Sequence, residues 1–309
     1  MTKAEMQVKI RGIFLEGKQS GFKIFACLRE GNRYYLKRLR ITDELRDTIY
    51  EKIYNTLEQN YLAEDVEYDS SDNIADNKNC LYEIVQDQQY HPFDFLIRDY
   101  RIDNLFSETD KDYLFGYLFR VNLNDDFFWI YQHVYSMSRI DRSRRTLAYF
   151  IKNAYDIVEG DILQIDARVD LVVIENSIIT SKMDLLQKYF SFERVIRRCA
   201  KQTISIIDQL GIVQGLEKFI AFGDNKKLTN AKKLMKARNS KVLTIDGKEL
   251  LVRIKEHSRY STMFTFENDQ IIIRSQKDAA AFIKMVNDDI LRSDLTGQEY
   301  ESQHKSMLY

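Results

Sequence analysis

Apolar and polar residues alternate through QVKIRGIFL (7–15), GFKIFACLR (21–29) and NRYYLKRLR (32–40), with Gly, Ser and Asn gathered around 17–21 and 30–32. Alternation sends successive side chains to opposite faces of a strand, so this pattern predicts a three-stranded antiparallel meander. The period then lengthens. Thr42 or Asp43 is placed to cap a helix to about residue 59, in which Leu45, Ile49, Ile53 and Leu57 recur every four residues as one apolar stripe. The acidic, turn-rich stretch 64–79 predicts a loop. LYEIV, HPFDFLI and FFWIYQHVY predict further strands, with a short helix near 110–118, and Asn122, Asn124, Asp125 and Asp126 break the apolar pattern where a domain division is expected.

Beyond that division TLAYFIKNAYDIV, DILQI, VDLVVIEN and SIITS are β-branched or aromatic enough to predict an antiparallel sheet. From Ser181 the spacing becomes helical over 182–189, 191–210, 214–221, 227–237 and 247–256; strands in TMFTF and QIIIR and a helix in KDAAAFIKMVNDD close the chain. The expected fold is α+β in two domains: an N-terminal antiparallel meander with a helix over 1–125, and a C-terminal antiparallel sheet with helices over 126–309. A length of 309 residues agrees with two domains at roughly 150 residues each.

Composition narrows the class. With 44% hydrophobic and 30% charged residues, one proline and eleven glycines, the chain is neither collagen-like nor wholly disordered. Cys27, Cys80 and Cys199 are scattered and never at C-x-x-C spacing, which argues for a reducing compartment and against a zinc ribbon. MTKAEMQVKI lacks the apolar core of a signal peptide, and the longest apolar run, FFWIY, is far short of a membrane span. A cytoplasmic protein is expected, reaching the inner membrane only through a partner.

The net charge of −1 hides a strong polarity. Residues 41–130 carry 7 Lys/Arg against 21 Asp/Glu, whereas 181–260 carry 18 against 8. A basic and an acidic surface of this kind bear on partners rather than on fold.

Enzymatic motifs are weak. Gly12-Ile-Phe-Leu-Glu-Gly17-Lys18-Gln19 fits G-x-x-x-x-G-K, but Gln19 stands where magnesium requires Ser or Thr, and the stretch reads as a hairpin met by chance. Asp161, Asp166, Asp170 and Glu175 suggest a metal-dependent nuclease, yet only Lys182 is available as the accompanying lysine, so turn and edge-strand acids are the simpler reading. The four histidines are far apart and no G-x-S-x-G elbow exists. No enzyme, metal or cofactor is expected.

The helix 191–210 carries more information. Phe192, Val195, Ile196, Cys199, Thr203, Ile206, Ile207 and Leu210 form its buried stripe, and Arg194, Arg197, Arg198 and Lys201 fall together on the opposite face within roughly a third of a turn. Over 227–237, Lys232, Lys233 and Lys236, with Lys226 just ahead, lie away from Leu228, Ala231, Leu234 and Met235. Eight cations without interleaved acids repel one another, so an anionic partner is inferred, nucleic-acid backbone being the commonest. Arg139, Arg142, Arg144 and Arg145 form a weaker phosphate-binding candidate.

Two stretches add a resemblance. DILQIDARVDLVVIENSIITSKMDLLQKYFSFERVIRRCAKQTISIID (161–208) and VNDDILRSDLTGQEYESQHKSMLY (286–309) resemble the domain of the Kiwa anti-phage defence protein KwaB family, over approximately 120–309. The most specific piece is Asn287-Asp288-Asp289 through Ser293, then Leu295-Thr296-Gly297 and Tyr300; Lys182 and Phe190-Ser-Phe-Glu193 support it. The resemblance implies a bacterial, non-enzymatic DNA-binding effector that restricts phage together with a small membrane protein, KwaA. It carries over no individual binding residue. Together these readings give a sequence-independent binder of double-stranded DNA that obstructs phage replication or transcription without cleavage. It is expected to be a homodimer or higher homo-oligomer, with the nuclease and a purely structural adaptor as alternatives.

Overall fold

The structure, a computed structural model, describes residues 1–16, 21–70, 80–98, 105–123, 126–135, 148–151, 154–157, 165–225, 228–292 and 299–301. Its first element departs from the expected meander. Lys3–Glu16 is a helix, α1, because Met6, Ile10, Ile13 and Phe14, the residues it buries, are spaced for a helix and not for a strand. Val8 and Leu15 are 72% and 60% exposed, and these two apolar residues on the solvent face produce the misleading alternation. Gly12 of the chance phosphate-loop match therefore sits inside a helix, while Gly17–Gln19 lie outside the described residues.

The elements that follow are β1 (Lys23–Glu30), β2 (Arg33–Arg38), α2 (Asp43–Asn60), β3 (Glu67–Asp69), β4 (Cys80–Val85), α3 (Phe95–Arg98), β5 (Leu114–Leu123), β6 (Asp126–His133), β7 (Ala148–Ile151), β8 (Ala154–Ile157), β9 (Leu171–Ile174) and β10 (Ser177–Thr180). Thr42 caps α2 by accepting the Leu45 amide, as its sequence predicts. The short helix expected near 110–118 is a single 3-10 segment, Glu108–Tyr113, and the β-rich residues after it pair as strand β5. The loop expected over 64–79 holds β3, paired parallel to β4; residues 71–79 lie outside the described set.

The main sheet has the order β2-β1-β5-β6-β9-β10-β4-β3 and is antiparallel except for its last pair. β1 and β2 form a hairpin, and the other neighbour of β1 is β5, about ninety residues onward, so the expected three-stranded meander does not form. One face of the sheet packs beneath α1 and α2. Ile24, Phe119, Phe128, Val172 and Ile174 meet Met6, Ile10, Phe14, Ile53 and Leu57 in one core. Alternate residues of β1 and β6, among them Phe25, Trp129, Tyr131 and His133, occupy the other face.

The domain division expected near 125 falls instead on a hairpin. β5 and β6 are paired from Gly116↔His133 to Leu123↔Asp126, so the ladder holds the two sides together. The compact units part later in the chain: one comprises Met1–Ser70 and Lys78–Met183, the other chiefly Asp184–Tyr309.

The second unit contains α4 (Met183–Tyr189), α5 (Glu193–Gln209), β11 (Val213–Gln214), α6 (Leu216–Gly223), α7 (Thr229–Ala237), α8 (Gly247–Glu256), α9 (Tyr260–Met263), β12 (Thr265–Glu267), β13 (Gln270–Ile272), α10 (Gln276–Val286), β14 (Ile290–Arg292) and β15 (Glu299–Glu301). Phe219 of α6 and Phe282 of α10 meet edge to face at 5.5 Å, and Ser275 and Asp278 close a capping box at the start of α10. Gly215 has a φ of +98°, and a Cβ there would meet the Ile273 carbonyl at 2.2 Å, so glycine is required where the chain turns into α6. The architecture as a whole is α+β, as its sequence predicts.

Candidate nucleic-acid interface

α5 is the most strongly amphipathic element of the second unit. Val195, Ile196, Cys199, Ala200, Thr203 and Ile207 are buried along one side. A 100° step per residue then leaves Arg194, Arg197, Arg198 and Lys201 on the other, where Arg194 and Lys201 are exposed and Arg197 and Arg198 half-buried. Arg194, Arg197 and Lys201 enter no ion pair among the described residues. Their charges are therefore presented to solvent rather than spent on the fold.

α7 lies against α5. Thr203 Oγ1 is 2.7 Å from the Leu234 carbonyl oxygen, and the Arg238 guanidinium reaches Gln202 Oε1 at 3.1 Å and Cys199 Sγ at 3.2 Å. Ala231, Leu234, Met235 and Ala237 are buried, leaving Lys232, Lys233 and Lys236 half-buried on the far side. Lys226 lies outside the described residues. Arg238 was not singled out from the sequence: it stands one residue past the helix and off its stripe, and only the packing shows that it ties the two basic helices together.

Lys236 is not equivalent to the other cations. Its Nζ is 3.4 Å from Oδ1 of Asp289, a carboxylate that is itself buried. Asn287 Nδ2 donates to the Lys233 carbonyl at 3.2 Å, and the Asp289 amide donates to the Lys284 carbonyl at 2.9 Å. Asn287-Asp288-Asp289 thus clasps the end of α10 to the last turn of α7, with Asp288 supplying the turn at a φ of +51°. On the α6 side, Arg197 and Lys201 border a groove of about 480 Å³ floored by Ile204, Leu216 and Ile220.

The remaining candidates are dispersed. Asp166 pairs with Arg168 at 3.1 Å, and Asp170 is buried with Oδ2 accepting the His133 amide at 2.8 Å. Glu175, in the β9–β10 turn, pairs with Lys9 of α1. Asp170 and Glu175 flank the four residues of β9 and stand roughly 16 Å apart along it, against roughly 4 Å for the ions of a two-metal site. Asp161 lies outside the described residues, as do Arg139, Arg142, Arg144 and Arg145. Among the described residues no three His, Cys, Asp or Glu side chains gather closely enough to hold a metal ion. The cysteines are buried, and burial, with acids nearby, pushes the Cys80 thiol up to about 11.

The comparisons agree on one group of proteins. The family model described as "Kiwa protein KwaB-like" matches residues 111–296, which include α5, α7 and the Asn287–Asp289 clasp. A curated protein of Escherichia coli O55:H7 (strain RM12579 / EPEC), "Kiwa protein KwaB", is 24% identical over 296 residues, covering 88% of this chain and 90% of its own. No solved structure matches the chain.

Proposed function

The chain belongs to the Kiwa protein KwaB-like family, which implies a role in anti-phage defence, and from that premise we propose that it is a sequence-independent double-stranded DNA-binding effector. The observation that carries the reading is the α5 face, where Arg194, Arg197 and Lys201 stand in a row with no ion pair among the described residues, beside Arg198, with Lys232 and Lys233 of α7 as further cations of the same unit. Cations so arranged suit a phosphate backbone, which carries one charge per roughly 1.7 Å of duplex and offers no base edge to side chains that stay outside the grooves.

In this reading the protein obstructs replication or transcription of phage DNA by occupying it, without enzymatic cleavage. The engagement of Asp170 with the His133 amide and of Glu175 with Lys9 supports that view. No helix among the described residues is long and apolar enough to cross a membrane, and the reading places membrane recruitment with a small membrane partner, KwaA, and the active form as a homo-oligomer.

The test is fluorescence anisotropy with two duplexes of unrelated sequence. Replacing Arg194, Arg197 and Lys201 together by Glu is expected to weaken both equally, and both duplexes are expected to stay intact in magnesium or manganese. Unchanged affinity in the triple variant would remove α5 from the interface, and cutting that Asp170→Asn abolishes would replace the reading with a nuclease.

A further inference from the structure

A cavity of about 370 Å³ opens in the first unit where β6 begins and the β9–β10 turn projects. Its floor is apolar: Phe93, Leu96, Trp129 and Val173 are all buried. Its rim carries Asp126, Phe127, Glu175 and Lys9, with the side-chain amides of Gln86 and Asn176. These residues come from four distant stretches of the chain and owe nothing to the cationic helices of the second unit.

The rim chemistry selects the ligand. The one ammonium, Lys9, is paired with Glu175, whereas the Asp126 carboxylate has no ion pair among the described residues. Asp126 is thus the carboxylate of the opening left for a ligand, and it favours a group that donates N–H bonds. The aromatic wall narrows the choice further. The Arg120 guanidinium lies 4.4 Å from the centroid of Phe127 and 5.6 Å from that of Trp129, so a cation already lies over one face of each ring. A second cation there is repelled, and a neutral planar ring is left as the better partner for Phe127, which is 38% exposed. Gln86 Oε1 accepts the Phe93 amide at 3.3 Å, which leaves the Gln86 NH₂ and the exposed Asn176 amide for acceptors on the ligand. The volume lies at the small end of ligand cavities and suits one ring system with its sugar.

We propose that this cavity binds a guanine base. The ring is neutral and planar, its N1–H and 2-amino group form a two-donor edge for Asp126, and its carbonyl side accepts from the amides. Adenine lacks the 2-amino group and turns an acceptor nitrogen toward the carboxylate, so it is rejected. The base is supplied by a free nucleoside or by an unpaired nucleotide of a single strand, and the two sources share this chemistry.

Trp129 is the sole tryptophan of the chain, so its emission reports on the cavity alone. Guanosine, adenosine, free arginine and short single strands with or without guanine are each titrated into the full-length protein while that emission is followed. Saturable quenching is expected with guanosine or with the guanine-bearing strand, and whichever acts identifies the source. Asp126→Asn and Phe127→Ala, both at exposed positions, are expected to weaken it at least about tenfold, with an unchanged circular dichroism spectrum confirming the fold. Three results would each overturn the assignment: no saturable change with either guanine source at millimolar concentration, an Asp126→Asn titration matching the parent, or arginine or adenosine quenching as well as guanosine.

Discussion

Glu83 of β4 is a buried carboxylate ringed by donors. The Ser177 hydroxyl donates to it at 2.5 Å, the Tyr68 hydroxyl at 2.8 Å and the Met1 amino group at 2.7 Å. Burial alone pushes its pKa up, but those donors outweigh burial and hold it below the ordinary value. A carboxyl held low in the folded state contributes stability above the ordinary carboxylate range and gives it up as pH falls through that range. Glu83→Gln is therefore expected to cost about 1–3 kcal/mol at pH 7 and progressively less as pH falls below the ordinary carboxylate range, in urea denaturation over a pH series. Asp289 makes a second prediction of the same kind. Lys236→Glu sets two carboxylates against each other where Lys236→Met only removes the ammonium beside Asp289, so the charge reversal is expected to lower the melting temperature further, although solvation alone would rank the two changes the other way. Asn287-Asp288-Asp289 stood out in the sequence as a family signature, yet its purpose was illegible there, because the carbonyl and the ammonium it holds lie some fifty residues earlier on α7.

At the scale of elements, α1 offers the clearest test. In a strand Val8 and Ile10 would share one face and matter alike; in the helix Ile10 is fully buried and Val8 faces solvent. Val8→Lys is expected to change stability by less than about 0.5 kcal/mol, and Ile10→Lys by more than about 3 kcal/mol or to prevent folding, in chemical denaturation. The contrast explains what the sequence makes legible. α5 is readable because seventeen residues repeat one clean apolar stripe opposite one charged face. α1 is shorter and carries apolar residues on its wet side. The pairing of β1 with β5 has no local signature at all, since register between strands so far apart is decided by the core they close together. The cavity around Asp126 and Trp129 was unreadable for the same reason, and the division of the chain was missed because polar turn residues at 122–126 mark a hairpin as readily as a linker.

At the scale of the whole molecule the charge is partitioned along the chain, with 21 acids against 7 bases over 41–130 and 18 bases against 8 acids over 181–260. The acidic part lies chiefly in the first unit and the basic part chiefly in the second. In the proposed account the basic unit holds DNA and the rest of the chain is available to protein partners. The protein is accordingly expected in the membrane fraction of cells only when the membrane partner is co-expressed; a chain that pellets with membranes when expressed alone would contradict that part of the account. The claim at its centre is that the α5 face neutralises phosphates without reading sequence, and the salt dependence of duplex binding tests it most directly. With roughly four to six phosphates neutralised, the logarithm of the association constant is expected to fall with the logarithm of salt concentration at a slope of about −4 to −5. Arg194→Glu, Arg197→Glu and Lys201→Glu combined should flatten that slope by about 3 on any duplex. A slope near zero in the parent protein, or one that the triple variant leaves unchanged, would contradict the account.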